Sequence, residues 1–110
     1  KVKTPYRYLA QNATIGAHTL FLLDLDPPAN KYLSIGEAIE YLFRVESEEH
    51  EGLLSPETMG VGCARLGADT QIIKYAPLKE LAEFDFGNAP YCLIIPGKMH
   101  FMEEGFLDAL

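Results

Sequence analysis

Near the start of the chain lies the apolar run Thr19-Leu20-Phe21-Leu22-Leu23-Asp24-Leu25, which Asp26-Pro27-Pro28 closes. The run is too short for a buried helix, but its length suits a strand that is covered on both faces. We therefore expect it to form a central strand of a β-sheet.

Helical patterns and shorter apolar runs flank this strand. Thr4-Pro5 is typical of a helix start, with an end near Gly16, and Ser34 with Glu37 fits the capping box of a second helix. Further strands are predicted at residues 59–65, 71–75 and 91–95, and further helices at residues 77–82 and 103–110. This order predicts an α/β domain with a mixed β-sheet flanked by helices.

The expected ligand crevice lies beyond the carboxyl ends of the strands, as is usual in open α/β sheets. In this chain that rule indicates residues 23–25, 64–67 and 96–98. Spacing alone places no nucleophile beside a base, so the sequence names no catalytic residue.

Size and charge limit the function classes. The chain has 110 residues, the length of one domain, and its formal net charge of -7 disfavours nucleic acid as a partner. It contains no apolar run of 18 residues, so we expect no membrane association and a cytoplasmic location.

Two residue groups could indicate a metal or redox site. Cys63 and Cys92 lie in apolar runs without the spacing of metal ligands, which favours small buried hydrophobic side chains over a disulfide or catalytic thiol. The acidic residues 46–51 are predicted to be a solvated helix end and loop, with a cation site as the alternative.

Other familiar motifs have simpler explanations. Asp85-Phe86-Gly87 spells a kinase tripeptide, but no phosphate loop or catalytic loop accompanies it. Gly60-Val61-Gly62 lacks the third glycine of a dinucleotide fingerprint. His18, His50 and His100 are widely separated and are predicted to be capping or surface residues.

Four stretches match one family in their order and spacing. They are Gly16-Ala17-His18-Thr19-Leu20-Phe21-Leu22-Leu23-Asp24, Tyr32-Leu33-Ser34-Ile35-Gly36-Glu37-Ala38, Ala64-Arg65-Leu66-Gly67, and Asp85-Phe86-Gly87-Asn88-Ala89-Pro90-Tyr91 continuing to Ile95-Pro96-Gly97-Lys98-Met99-His100. Through these stretches the chain resembles diphthine synthases, which belong to the tetrapyrrole-methylase-like class.

The resemblance implies a fold and an activity. Residues 1–110 resemble the C-terminal domain of a two-domain enzyme whose N-terminal domain is absent from this chain. The class binds S-adenosyl-L-methionine between the two domains, releases S-adenosyl-L-homocysteine and is expected to form homodimers. The implied reaction methylates the amino group of the modified histidine of translation elongation factor 2 in diphthamide biosynthesis, and the isolated fragment is expected to be inactive.

The resemblance also implies cofactor contacts at Leu23, Leu66 and Tyr91. Leu66 stands where the family more often has alanine, and Tyr91 stands where histidine is common. Methyl transfer from a sulfonium requires positioning and a dry pocket more than an acid or base. Alternatively, Leu23 is only a core residue, and Leu66 only covers a loop. The neighbouring Asp24 either supports the fold or contacts the substrate.

Two other interpretations remain open. The chain could belong to another enzyme of the same class, such as a corrin (porphyrinoid) methylase or a ribosomal-RNA ribose methyltransferase. It could also be a non-catalytic α/β binding or dimerisation module that shares only the fold.

Overall fold

A computed structural model describes residues 4–23, 34–97 and 108–109. The elements follow one another in the order α1 (Thr4–Thr14), β1 (Thr19–Leu22), α2 (Ile35–Glu49), β2 (Met59–Ala64), β3 (Ile72–Pro77), α3 (Leu78–Glu83) and β4 (Tyr91–Ile95). The strands predicted near residues 19, 59, 71 and 91 are therefore confirmed. The helix predicted at residues 103–110 and the end of the first apolar run lie almost wholly outside the described residues.

The four strands form one sheet in the order β1-β4-β2-β3. Each described pair of neighbours is antiparallel, whereas the sequence led us to expect parallel pairs as well. β4 lies between β1 and β2, so the last strand in the chain is inserted beside the first. The strand predicted to be central, β1, instead pairs with β4 alone among the described strands.

All three described helices pack on one face of this sheet, called here the helix-covered face. The register places Phe21, Leu93 and Gly62 side by side on it, and Leu93 is fully buried. The other large side chains that are fully buried come from the helices. The largest fully buried residues are Tyr6, Ile35, Ile39, Leu42, Leu78, Leu81 and Leu93.

Local signals in the sequence determine where the second helix begins. The Ser34 hydroxyl accepts a hydrogen bond from the Glu37 amide at 3.0 Å, and the Glu37 carboxylate accepts one from the Ser34 amide at 2.9 Å. The predicted capping box is therefore confirmed. None of the helices in the described segments is long and apolar enough to cross a membrane.

Glycine is uncommon inside a β-strand, but the packing explains why Gly60 and Gly62 stand in β2. A Cβ atom at Gly60 would lie 2.8 Å from Leu78 Cδ2, and one at Gly62 would lie 2.5 Å from Phe86 Cζ. Both glycines allow large side chains to lie directly on the sheet. The strand is therefore maintained by its neighbours rather than by its own β-propensity.

The opposite face of the sheet carries a smaller apolar cluster. Cys63 and Cys92 are paired across β2 and β4, and both are buried and free of disulfide bonds. Burial, together with the neighbouring Cys92 thiol, raises the pKa of Cys63 to about 12. Cys63 therefore stays protonated at neutral pH and is not a thiolate nucleophile, and the prediction of buried structural cysteines is confirmed.

The acidic segment at residues 46–51 differs from its prediction at Glu46. Its carboxylate accepts hydrogen bonds from the Tyr6 hydroxyl at 2.9 Å and from the amides of Gly52, Leu53 and Leu54 at 2.8, 2.9 and 3.0 Å. Glu46 thus joins α1, α2 and the following loop. Sequence patterning missed this role because the donors are a distant tyrosine and backbone amides.

These contacts shift the pKa values of both the Glu46 carboxyl group and the Tyr6 hydroxyl group. Burial alone would raise the pKa of Glu46, but its hydrogen bonds outweigh that effect and lower it below 4.5. Burial, and then the bond to Glu46, raises the pKa of Tyr6. The folded protein consequently favours the ionised carboxylate and the neutral phenol.

Glu46→Gln is expected to lower the free energy of unfolding at pH 7 by about 1–3 kcal/mol, since it weakens charge-assisted hydrogen bonds. The folded-state pKa is depressed, so this stabilisation is present above the unfolded pKa and disappears as pH falls through the folded value. The difference between wild type and variant should therefore shrink below pH 4.5. Urea denaturation at several pH values measures it.

Glu40→Gln provides the control, because Glu40 is an exposed carboxylate on the same helix. It is expected to leave the free energy of unfolding nearly unchanged. An effect of Glu46→Gln that is equally large at pH 7 and pH 3 would contradict the proposed carboxylate role.

Candidate functional site

Three chain segments meet at one end of the sheet, at the termini of its strands. Because β4 is antiparallel to both β1 and β2, the carboxyl ends of β1 and β2 lie where β4 begins. The Leu23 amide donates to the Tyr91 carbonyl at 3.1 Å, and the Arg65 amide donates to the Pro90 carbonyl at 2.8 Å. These bonds extend the strand pairing to the edge. We call this the convergent edge, comprising Leu23, residues 64–66 and residues 90–91.

The convergent edge brings together the three residues for which the resemblance to diphthine synthases implied cofactor contacts. Leu23 lies opposite Tyr91 on one side, and Ala64 is paired with Tyr91 on the other. Leu66 follows two residues after Ala64. Leu23 and Leu66 are 43 positions apart along the chain, but both therefore lie at the convergent edge.

The side chains of these three residues have different environments. Leu23 is buried and belongs to the main core, so its side chain also has a structural role. Leu66 is 56% exposed, so its side chain is accessible at this edge. Tyr91 is half-buried. The edge thus presents one exposed apolar side chain next to a partly open aromatic ring.

The Tyr91 hydroxyl already has a partner. It donates a hydrogen bond to the carbonyl of Gly87, within the loop that leads into β4. With the proton directed to Gly87, the ring and the hydroxyl lone pairs remain for a ligand.

One part of the predicted crevice lies elsewhere. Residues 96–98 were grouped with the other two strand ends. For Pro96 and Gly97 this grouping was wrong because β4 runs in the opposite direction, and residue 98 lies outside the described residues. Thr19 is paired with Ile95, and the Gly97 amide donates to Nδ1 of His18 at 2.8 Å. Pro96 and Gly97 therefore lie at the far edge, beside the start of β1.

Arg65 is the residue at this edge that sequence reasoning missed. Its Nε donates to the Thr70 hydroxyl at 2.9 Å, and a terminal nitrogen donates to the Thr70 carbonyl at 2.8 Å. The other terminal nitrogen donates to the Phe86 carbonyl at 2.8 Å and to the Asn88 carbonyl. The only sequence signal was a charged residue at the end of an otherwise apolar strand.

The remaining polar motifs have structural explanations. The Asp85 carboxylate accepts from the Gly87 amide at 2.9 Å, which makes the kinase-like tripeptide an ordinary turn. His50 caps the end of α2 in a left-handed conformation, and His100 lies outside the described residues. Among residues 4–23, 34–97 and 108–109, no group of three or more metal-ligating side chains is found.

Diphthine synthases are among the known proteins that are similar to this chain in sequence and in fold. Diphthine synthase of Methanococcus maripaludis (strain C7) is 37% identical over 108 residues, which are 98% of this chain and 42% of that relative. A protein of Entamoeba histolytica assigned as a diphthine synthase has 34% identity and a TM-score of 0.89, over 96% of this chain and 43% of its own. In sequence and in fold, this chain is therefore similar to diphthine synthases over nearly its whole length.

A further diphthine synthase crystal structure gives a TM-score of 0.83 at 31% identity, covering 99% of this chain and 40% of that one. No protein-family model matches the chain. The predicted α/β class is confirmed, and it is the fold of diphthine synthases, which are tetrapyrrole-methylase-like. The chain spans less than half the length of these relatives.

Proposed function

We propose that the protein carrying this chain is an S-adenosyl-L-methionine-dependent methyltransferase of diphthamide biosynthesis. Its substrate would be translation elongation factor 2, methylated at the amino group of the modified histidine. The similarity to diphthine synthases over 98% of the chain supports this proposal. The observation that carries it is the convergent edge, where the strand ends with Leu23, Leu66 and Tyr91 meet.

The residues at the convergent edge fit this cofactor. Adenosine requires an apolar surface and an aromatic or backbone partner, which the exposed Leu66 and the half-buried Tyr91 ring can provide. When bound, the cofactor supplies an electrophilic methyl group on a sulfonium. Leu23 and Leu66 would exclude water, and Tyr91 would orient the adenine. None of these roles requires an ionised side chain.

The domain arrangement is part of the same proposal. The chain covers 42% of the first relative, so the rest of such a protein would supply the facing wall of the cofactor cleft. Residues 1–110 would be the C-terminal domain, weakly binding and inactive alone. We also propose a homodimer in the cytoplasm, in keeping with the tetrapyrrole-methylase-like class.

A methyl-transfer assay tests this function. The full-length protein is incubated with methyl-labelled S-adenosyl-L-methionine and elongation factor 2 that carries the modified histidine. Label is expected in the elongation factor, and none is expected when that factor has an unmodified histidine. Label appearing instead in a corrin precursor or in ribosomal RNA would favour another enzyme of the class, and no transfer to any of these would favour a binding module.

A further inference from the structure

Arg65 links two loops that are far apart in the sequence. Its guanidinium donates to Thr70 in the turn of residues 66–71 and to the carbonyls of Phe86 and Asn88 in the loop of residues 84–90. The first loop begins with Leu66, and the second leads into Tyr91. One side chain therefore connects the segments on which two of the proposed cofactor contacts lie.

The backbone around Arg65 is arranged for this contact. Arg65 has a φ of 52°, in the left-handed region that residues other than glycine seldom adopt. This conformation turns the chain at the end of β2. Gly87 has a φ of 74°, and a Cβ atom there would lie 3.3 Å from a terminal nitrogen of Arg65. The 84–90 loop thus approaches the guanidinium closely at a residue without a side chain.

The bonds to Arg65 extend to both proposed contacts. Its amide donates to the Pro90 carbonyl, which fixes the position of Leu66 relative to Tyr91. The Tyr91 hydroxyl donates to Gly87, which lies between Phe86 and Asn88, the two residues of this loop whose carbonyls the guanidinium binds. Movement of the 84–90 loop would therefore shift the position of the Tyr91 ring, and movement of the 66–71 turn would shift the position of the Leu66 side chain.

We propose that Arg65 is a positioning residue for the cofactor pocket, acting through Leu66 and Tyr91 without touching the reacting atoms. The proposal rests on the methyltransferase function proposed above. The guanidinium holds the 66–71 turn and the 84–90 loop at a fixed distance from each other. The adenosine would therefore bind against a preformed wall of the pocket. A lysine has one nitrogen and cannot span both loops in this way.

The test compares two substitutions in the full-length protein. Arg65→Lys keeps the charge but loses the fork, whereas Arg65→Asn tolerates the left-handed backbone and loses the side-chain contacts. Both are expected to raise the Kd for S-adenosyl-L-homocysteine about tenfold, since small misplacements of binding groups are costly. In turnover assays, KM for S-adenosyl-L-methionine should rise more than kcat falls.

Arg44→Lys is the matched control. Arg44 is exposed on α2, where its guanidinium lies 5.9 Å from the Tyr41 ring centroid. This variant should bind the cofactor product as wild type does. Hydrogen exchange of the Gly67 and Gly87 amides gives a readout that does not depend on the cofactor, and both should exchange faster in Arg65→Lys.

The outcomes separate the two proposals. Wild-type binding with an unchanged Kd in both Arg65 variants would overturn the positioning role and leave the methyltransferase function standing. A lower melting temperature without a change in Kd would show a purely structural role, which also overturns it. No binding by wild type would overturn the proposed function and this inference with it.

Discussion

Leu93→Ala is expected to lower the free energy of unfolding by about 4 kcal/mol, a large share of the stability of a domain of this size. Leu93 is fully buried, with an accessible fraction of 0%. It lies on β4 between Phe21 of β1 and Gly62 of β2. Both flanking strands are fixed by backbone pairing. The cavity left by the substitution therefore cannot collapse easily.

Leu20→Ala is the control for this prediction. Leu20 lies on β1 with 57% of its surface exposed, so the same substitution removes little packing. Urea denaturation followed by circular dichroism measures both variants, and Leu20→Ala should change the free energy of unfolding by less than about 1 kcal/mol. Equal losses in the two variants would contradict the central position of β4.

Leu66→Arg is expected to raise the Kd for S-adenosyl-L-homocysteine about a hundredfold in the full-length protein, which corresponds to roughly 2.8 kcal/mol. The proposed pocket places Leu66 against adenosine, where a guanidinium would lose its hydration without gaining a partner. Because Leu66 is 56% exposed in the chain, the substitution should leave folding intact. Calorimetric titration measures the affinity.

Two further variants test where this effect originates. Ile15→Arg adds the same charge at a residue that is 78% exposed, in the turn before β1 and away from the convergent edge. It should bind as wild type does. Leu66→Ala introduces the residue common in the family and keeps the position apolar, so it should change the Kd far less than Leu66→Arg does. Unchanged binding by Leu66→Arg would remove Leu66 from the pocket.

Sequence patterns were sufficient for the elements that local interactions determine. The capping box at Ser34 fixed the start of α2, and β4 was predicted at residues 91–95, where the structure has it. β3 was predicted to end at Tyr75 but continues to Pro77, because proline is compatible with the outer strand of the described sheet.

Features that depend on strand direction or distant partners could not be predicted in the same way. The placement of Pro96 and Gly97 failed because periodicity does not reveal that β4 is antiparallel to its neighbours. The roles of Glu46 and Arg65 depend on backbone groups that only the fold brings near. The proposed contacts Leu23, Leu66 and Tyr91 came from resemblance to a family, and the structure adds their shared edge.

Binding of S-adenosyl-L-homocysteine, measured by calorimetric titration into the full-length protein and into this chain at matched salt and pH, tests the central proposal most directly. We predict tight binding to the full-length protein and weak binding to the chain alone, since the convergent edge would supply one wall of the pocket. Absence of binding to the full-length protein would contradict the proposed methyltransferase function and make a non-catalytic binding module the better description.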